Sequence, residues 1–337
     1  MLLTGHTGYK GAWLALWLLH AGAKVVGYSL EPPSRPNLYE ALGLERSIES
    51  QIADVRDADE LWTTVERTRP TVVFHLAAQS LVRDGYANPV ETYATNVMGT
   101  VNLLDAVRRV DSCRATVVVT SDKCYENDPP VPHTEGDALG GSDPYSNSKA
   151  CAELAVRCFA RSFFDGGTLL ASVRAGNVIG GGDWARDRIV PDVIRATYEG
   201  DGLRLRHPSA TRPWQHVFEP LSGYVELAER GLRGETDLSG PWNFGPPPER
   251  ELPVRDLVEA LLRRLDSKAE IQIDDAAGPP EAAALALDST KARERLGWVT
   301  RLDMPQTIEY TAAWYRSYYE REDVLQTSLA QLASFVA

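Results

Sequence analysis

Short runs of β-branched and aliphatic residues alternate with amphipathic stretches through the N-terminal half of the chain. Met1–Thr4, Lys24–Tyr28, Thr71–Leu76, Thr116–Thr120 and Thr168–Val173 read as strands, with intervals long enough for helices between most of them. Strands separated by helical spacers predict an α/β, doubly wound parallel sheet. Capping signals set the phase of the helices: Asp57 opens one through Thr68, Asn88-Pro89 one that ends near Val110, and Asp143-Pro144 a third. Tyr145 then falls in a first helical turn, with Lys149 one turn later on the same face. Beyond Gly176 the pattern loosens into Gly180-Gly-Gly-Asp183, helices over Asp187–Glu199, Glu219–Leu232 and Pro253–Leu265, strands at Leu203–Arg206 and Ile271–Ile273, and two helices after Asp303. We expect a nucleotide-binding domain over residues 1–176, to which the chain returns at about 213–247, and a smaller mixed α/β C-terminal lobe in the rest of 177–337. The first strand is short for a buried parallel one, which usually needs about five residues, and suggests a trimmed start. Asp274–Ala286, rich in Ala, Pro and Gly, reads as a mobile loop.

The 337 residues suffice for one large domain or two, and an apolar content of 43% is ordinary for a soluble protein. No apolar run approaches the ~20 residues of a membrane span, and Ala12–Leu19 follows a glycine motif, so it reads as a core helix rather than a signal peptide. A cytoplasmic location is expected. The net charge of −12, with no basic run, argues against nucleic acid as a partner. Cys113, Cys124, Cys151 and Cys158 show no metal-site spacing, so no metal is expected and the thiols are expected to be reduced.

Candidate chemistry begins at Gly5-His6-Thr7-Gly8-Tyr9-Lys10-Gly11, which follows an apolar strand and opens an amphipathic helix. That context suits a dinucleotide loop, in which backbone N–H groups and the helix dipole face a pyrophosphate. Downstream stands Tyr145-Ser-Asn-Ser-Lys149. A phenol with an ordinary pKa of about 10 is a poor base unless positive charge lowers it, and Lys149 is the expected source. The residues after the second strand leave the choice between NAD and NADP open: Glu31 and Arg35 are both present and neither is clearly placed.

The GxxGxxG spacing together with Tyr-x3-Lys resembles the short-chain dehydrogenase/reductases, a Rossmann-type family. Thr95-Asn-Val-Met-Gly-Thr100, Thr120-Ser-Asp-Lys-Cys-Tyr125, Ala175-Gly-Asn-Val-Ile-Gly-Gly-Gly-Asp-Trp184 and Arg212-Pro-Trp-Gln-His216 follow in register. With the glycine loop, these motifs resemble the CDP-glucose 4,6-dehydratases over nearly the whole chain, as far as Leu287-Asp-Ser-Thr-Lys-Ala-Arg293.

The resemblance implies NAD as cofactor and a redox-neutral dehydration of CDP-glucose to its 4-keto-6-deoxy product. It places Asp54 and Val55 at the adenine end, Leu76, Ala77, Ala78 and Gln79 along the pyrophosphate and ribose path, and Asn96 and Thr120 beside the cofactor. Tyr145, aided by Lys149, would take the C4 hydroxyl proton, and Ser121 would hold that oxygen. Asp122 would be the acid at the C6 hydroxyl, and Lys123 either the base at C5 or the stabiliser of the enolate. Ser80, Asn177, Arg188, Arg204, Arg212 and His216 are the expected substrate contacts, with Arg206 and Trp214 weighed beside them. A homodimer through a four-helix interface is expected from the superfamily. The chain departs from the pattern at Asp128–Glu135 and at Pro280-Glu281, both implicated in substrate recognition, so a different nucleotide or sugar stays open. A nucleotide-sugar 4-epimerase would share the loop, Tyr145 and Lys149 but need no Asp122-Lys123 pair. A non-catalytic nucleotide-binding regulator would be expected to lack Tyr145 or Lys149.

Overall fold

The computed structural model describes residues 1–126, 132–164, 166–247, 251–273 and 286–337. The expected loop at Asp274–Ala286 and the departures at Asp128 and Pro280-Glu281 therefore lie largely outside the described residues. Seven parallel strands form the central sheet: β1 (Leu2–Thr4), β2 (Val26–Ser29), β3 (Glu49–Ile52), β4 (Val72–His75), β5 (Ala115–Val119), β6 (Leu169–Ala175) and β7 (Gly240–Phe244). Their spatial order is β7-β6-β5-β4-β1-β2-β3. The direction of winding reverses between β1 and β4, where ligands of open α/β sheets bind outside the carboxyl ends of the strands.

Successive side chains of one strand serve opposite layers. Leu2 and Val73 pack with Leu61, Val65, Leu103 and Val107 of helices α2 (Ala58–Thr68) and α3 (Gly99–Val107). Leu3, Val72 and Phe74 point the other way, into a core shared with α1 (Tyr9–His20) and helix Phe218–Leu232. Helix α1 is buried from Gly11 to Leu18 because it lies under this second layer, with Trp17 edge-on to both Phe218 and Phe335. That explains its all-round apolar sequence. No helix among the described residues is long and apolar enough to cross a membrane.

The remaining strands are short pairs: Val178–Ile179 with Gln215–His216, Thr211–Arg212 with Leu252–Pro253, and Leu203–Leu205 with Ile271–Ile273. Helices Ile189–Tyr198 and Val254–Arg264 pack on each other and on strands Leu203–Leu205 and Leu252–Pro253, respectively. The capping signals at Asp57 and Asp143 operate as read, each side chain accepting from the N–H three residues on. Asn88 does not: its side chain makes no cap. The helix expected from Asn88 to Val110 is divided instead into Pro89–Tyr93, a wide π turn Ala94–Met98, and α3.

Candidate active site

The glycine loop is shaped by close approach. Gly5 has φ +75°, and a Cβ there would lie 2.6 Å from the Ala77 nitrogen at the end of β4; a Cβ on Gly11 would run into the Gly5 carbonyl. Gly8 stands at the N-cap of α1, where no side chain caps the helix and no acidic residue fills the first turn. The uncapped N–H groups of that turn form an anion cradle, whose backbone shape a Cβ on Gly5 or Gly11 would spoil. The loop residues divide their work. His6 is fully buried, hydrogen-bonded to Ser50 at 2.7 Å and held down to a pKa of about 4 by burial. It is therefore a neutral spacer between loop and sheet. Thr7 ties the loop to the end of β2 through Ser29 Oγ and the Leu30 carbonyl.

Along the path the resemblance gave to the cofactor, Leu76 N–H joins Thr4 O and Ala77 N–H donates to Thr4 Oγ1 at 3.2 Å. Ala78 follows in the same half-exposed turn. The wide turn aims Asn96 inward: its Oδ1 accepts from Gln79 N–H at 2.9 Å, and its Nδ2 donates to the Gln79 carbonyl and to Ser148 Oγ at 2.8 Å. Such widened turns displace a side chain that a regular helix would leave on its neighbour's face. At the far end, Tyr28 donates to the Asp54 carbonyl at 2.9 Å, the Asp54 carboxylate is gripped by Arg56, and Val55 packs under Gly99.

The reactive groups gather at the ends of β5 and of the helix α4 (Pro144–Phe163). Ser121 caps a single turn, Asp122–Cys124; its Oγ accepts from Lys123 N–H at 3.2 Å and donates to Asp122 Oδ1 at 3.0 Å. Asp122 is 5% exposed, its Oδ2 finds no partner among the described residues, and a Cβ on Gly176 would sit 3.0 Å from that oxygen. Burial raises the Asp122 pKa, against the pull of Lys123, Ser121 and Lys10. Tyr145 is buried and shares a hydrogen bond with Ser121.

The electrostatics of that phenol differ from the expectation. Burial pushes it up to about 12, and the groups that draw it down are Ser121 and then Arg188. Lys149 donates instead to the Val119 carbonyl at 3.2 Å, and burial lowers its own pKa to about 8. Lys10 is likewise lowered to about 8, by burial first and then by Arg188, while Asp122 draws it up. A loop residue expected only at the cofactor thus belongs electrically to the reactive cluster.

The expected substrate residues separate. Arg188 lies against the cluster, paired with Asp183 at 2.9 Å and reaching Ser80 at 3.4 Å. Asn177 leads into strand Val178–Ile179, its carbonyl accepting from Gln215 N–H at 3.1 Å. Arg212 is buried and donates to the Thr211 carbonyl at 2.9 Å. His216 is fully buried; its Nδ1 accepts from Phe218 N–H, so Nε2 carries the proton and faces Gly180 and the Tyr9 hydroxyl. Arg204 is exposed between buried Leu203 and Leu205, and Trp214 is a packing residue that donates to the Leu252 carbonyl. Arg206 pairs at 3.8 Å with Asp187, which Arg83 meets at 2.9 Å. Arg83, Asp183 and Asp187 were given no role at the site by the sequence: Asp183 stood only as part of a motif, Asp187 as a helix start, and Arg83, on the short helix Val82–Ala87, carries no spacing signal.

Residues 2–240 match the sequence model of the GDP-mannose 4,6 dehydratase family. The chain belongs to that family. Within it, the likeness read from the motifs holds: the chain is 44% identical to the CDP-glucose 4,6-dehydratase of Salmonella typhimurium, over 100% of this chain and 96% of that protein. It is 27% identical to dTDP-glucose 4,6-dehydratase 1 of Escherichia coli, over 79% of this chain and 78% of that protein. Among solved structures, UDP-glucose 4-epimerase of Thermotoga maritima superposes with a TM-score of 0.82 at 20% identity, over 94% of this chain and 99% of that one. MoeE5, in complex with UDP-glucuronic acid and NAD, superposes with a TM-score of 0.80 at 22% identity, again over 94% and 99%. Both show the Rossmann-type fold.

Proposed function

We propose that this family member is an NAD-dependent nucleotide-sugar 4,6-dehydratase, a hydro-lyase that takes CDP-glucose to CDP-4-keto-6-deoxyglucose and water. The observation that carries the reading is Asp122, a buried carboxyl with one unpartnered oxygen, set beside Ser121 and Tyr145 in a chain 44% identical along its length to a CDP-glucose 4,6-dehydratase. A 4-epimerase has no use for an acid in that place.

The cradle at Gly5, Gly8 and Gly11 fits a dinucleotide diphosphate, with Leu76–Gln79, Asn96, Thr120 and the Asp54-Val55 end continuing the site. When bound, NAD supplies a hydride acceptor and donor beside the sugar. Tyr145 takes the C4 hydroxyl proton, Ser121 holds the same oxygen, and the Lys149 ammonium adds positive charge. Oxidation at C4 acidifies the C5 proton. Asp122, whose hold on its proton burial strengthens, then gives that proton to the departing C6 hydroxyl, and Lys123 accepts the C5 proton or steadies the enolate. Return of the hydride at C6 and of a proton at C5 would complete the 6-deoxy product, so the sugar as a whole is neither oxidised nor reduced.

Arg188, Arg212, Asn177, Ser80 and His216 are assigned to the substrate, with the arginines suited to its diphosphate. Arg204, exposed on its short strand, has the least support. We assign residues 1–176 with 213–247 to the nucleotide half and the remainder to the substrate half. The chain works as a homodimer: Val90, Met98 and Leu154 are 83%, 51% and 44% exposed on the helices that the superfamily pairs. A cytoplasmic place fits its four free thiols.

The test is incubation with CDP-glucose and NAD, following the alkaline absorbance of a 4-keto-6-deoxy sugar and the loss of one water by mass spectrometry. Turnover of another nucleotide sugar alone would keep the chemistry and discard cytidine. No turnover of any would end the proposal.

A further inference from the structure

We propose that Glu153 is a positioning residue for the reaction, its buried carboxylate locking the helix that bears Tyr145 and Lys149 to the strand end that bears Ser121, Asp122 and Lys123. The inference rests on the functional reading above for its kinetic part and on geometry for the rest. Glu153 follows Lys149 by one turn of α4 and is 3% exposed. Its two oxygens accept from Thr120 Oγ1 at 2.5 Å, Ser172 Oγ at 2.7 Å, and Arg174 Nε and Nη2 at 3.0 and 2.7 Å. A carboxylate has about four lone-pair directions, so this one is saturated and can only be an anion.

The partners explain what it holds. Thr120 is the last residue before Ser121, and its N–H is already fixed to the Val173 carbonyl at 2.9 Å. Lys149 grips the preceding carbonyl, that of Val119. Glu153 and Lys149 thus clasp consecutive residues of the strand end from consecutive turns of one helix. Arg174 passes the constraint on, donating to Tyr125 Oη at 2.6 Å with its guanidinium over that ring. Tyr125 closes the far side of the Asp122–Cys124 turn. A buried Glu–Arg pair stabilises a fold no better than apolar packing of the same volume, so its place under two halves of a reactive site argues for registration rather than stability.

Glu153 stands one turn beyond Lys149 on α4, and its negative charge favours the Lys149 ammonium without pairing with it directly. Facing that ammonium are Glu153 from its own helix, which favours its charge, and Cys124 from the strand-end turn, His75 and Lys10, none of which supplies a negative partner, burial holding the Cys124 thiol protonated. With a Lys149 pKa of about 8, removing the carboxylate moves loss of charge to lower pH.

The experiment compares the parent with Glu153→Gln and Glu153→Asp, each checked for folding by circular dichroism. Titration of 13Cε-labelled lysine, with the Lys149 signal assigned through Lys149→Arg, needs no substrate. In Glu153→Gln its midpoint falls clearly below the parental value; an unmoved midpoint overturns the charge role. In turnover, Glu153→Gln loses on the order of 10²-fold in kcat with KM little changed, the loss expected of a displacement near 1 Å, and its alkaline limb moves to lower pH. If Glu153→Gln does not fold, Glu153→Asp carries the test: it keeps the midpoint and loses roughly 10-fold in kcat. Parental kcat in a folded variant overturns the positioning role. A parent inert toward every nucleotide sugar defeats the functional reading, and the lysine titration still decides the placement of Glu153.

Discussion

At the residue scale, burial decides the chemistry. Tyr145→Phe removes the only hydroxyl assigned to take the C4 proton, so turnover falls by at least the 10²–10⁴-fold typical of general acid–base groups, with binding of the nucleotide sugar retained. Asp122→Asn lowers kcat by a similar factor, since an amide has no proton to give; steady-state kinetics check both. The same change makes a stability statement. Because burial raises the folded pKa of Asp122 above 3.8, its contribution to stability is fully present below that value and is lost as pH rises through the folded pKa. An amide in its place carries no charge at any pH and escapes the loss. Asp122→Asn is therefore expected to lose less stability than the parent as pH rises from about 4 to neutral, a difference in slope that thermal melts across that range measure. That Ser121, Asp122, Tyr145 and Lys149 lie together was legible in the sequence, because spacing and motif put them at one strand end and in the facing helical turns. The source of charge at the phenol was not: Arg188 arrives from a loop with no periodic relation to Tyr145.

At the element scale, legibility followed hydrogen-bonding rules. Asp57 and Asp143 could be read because a capping side chain satisfies N–H groups within its own turn. The wide turn at Ala94–Met98 could not, since its cause is tertiary: Asn96 is drawn to Gln79 and Ser148. Two strands of the central sheet were also missed. β3 is polar and exposed at one edge of the sheet, and β7 opens Gly240-Pro241, a turn signal that a sheet tolerates at its other edge. For the glycine loop the expectation is direct: Gly11→Ala forces a Cβ onto the Gly5 carbonyl, lowering stability by about 1–3 kcal/mol and abolishing retention of NAD. Chemical denaturation and equilibrium dialysis measure the two effects separately.

At the scale of the whole molecule, the helix α4 has two occupations. Its inner face carries Tyr145, Lys149 and Glu153, while Leu154 stands exposed, as do Val90 on helix Pro89–Tyr93 and Met98 in the wide turn. The parent should sediment as a particle of twice 37.1 kDa at micromolar concentration. Val90→Glu places a charge on the proposed seam and is expected to give a 37.1 kDa monomer in the same experiment. A parent already monomeric would remove the dimer.

The position of β7 has a consequence for how the molecule is born. The side chain of Asn243 accepts from Tyr125 Oη and donates to the His133 carbonyl, and so anchors the far end of the turn that begins at Ser121. A chain emerging from the ribosome displays its glycine loop, its phenol and its lysines long before Asn243 is translated. The turn bearing Asp122 is therefore braced only when the sheet gains its last strand. Commitment to chemistry is deferred until a strand far downstream of the reactive turn has been added.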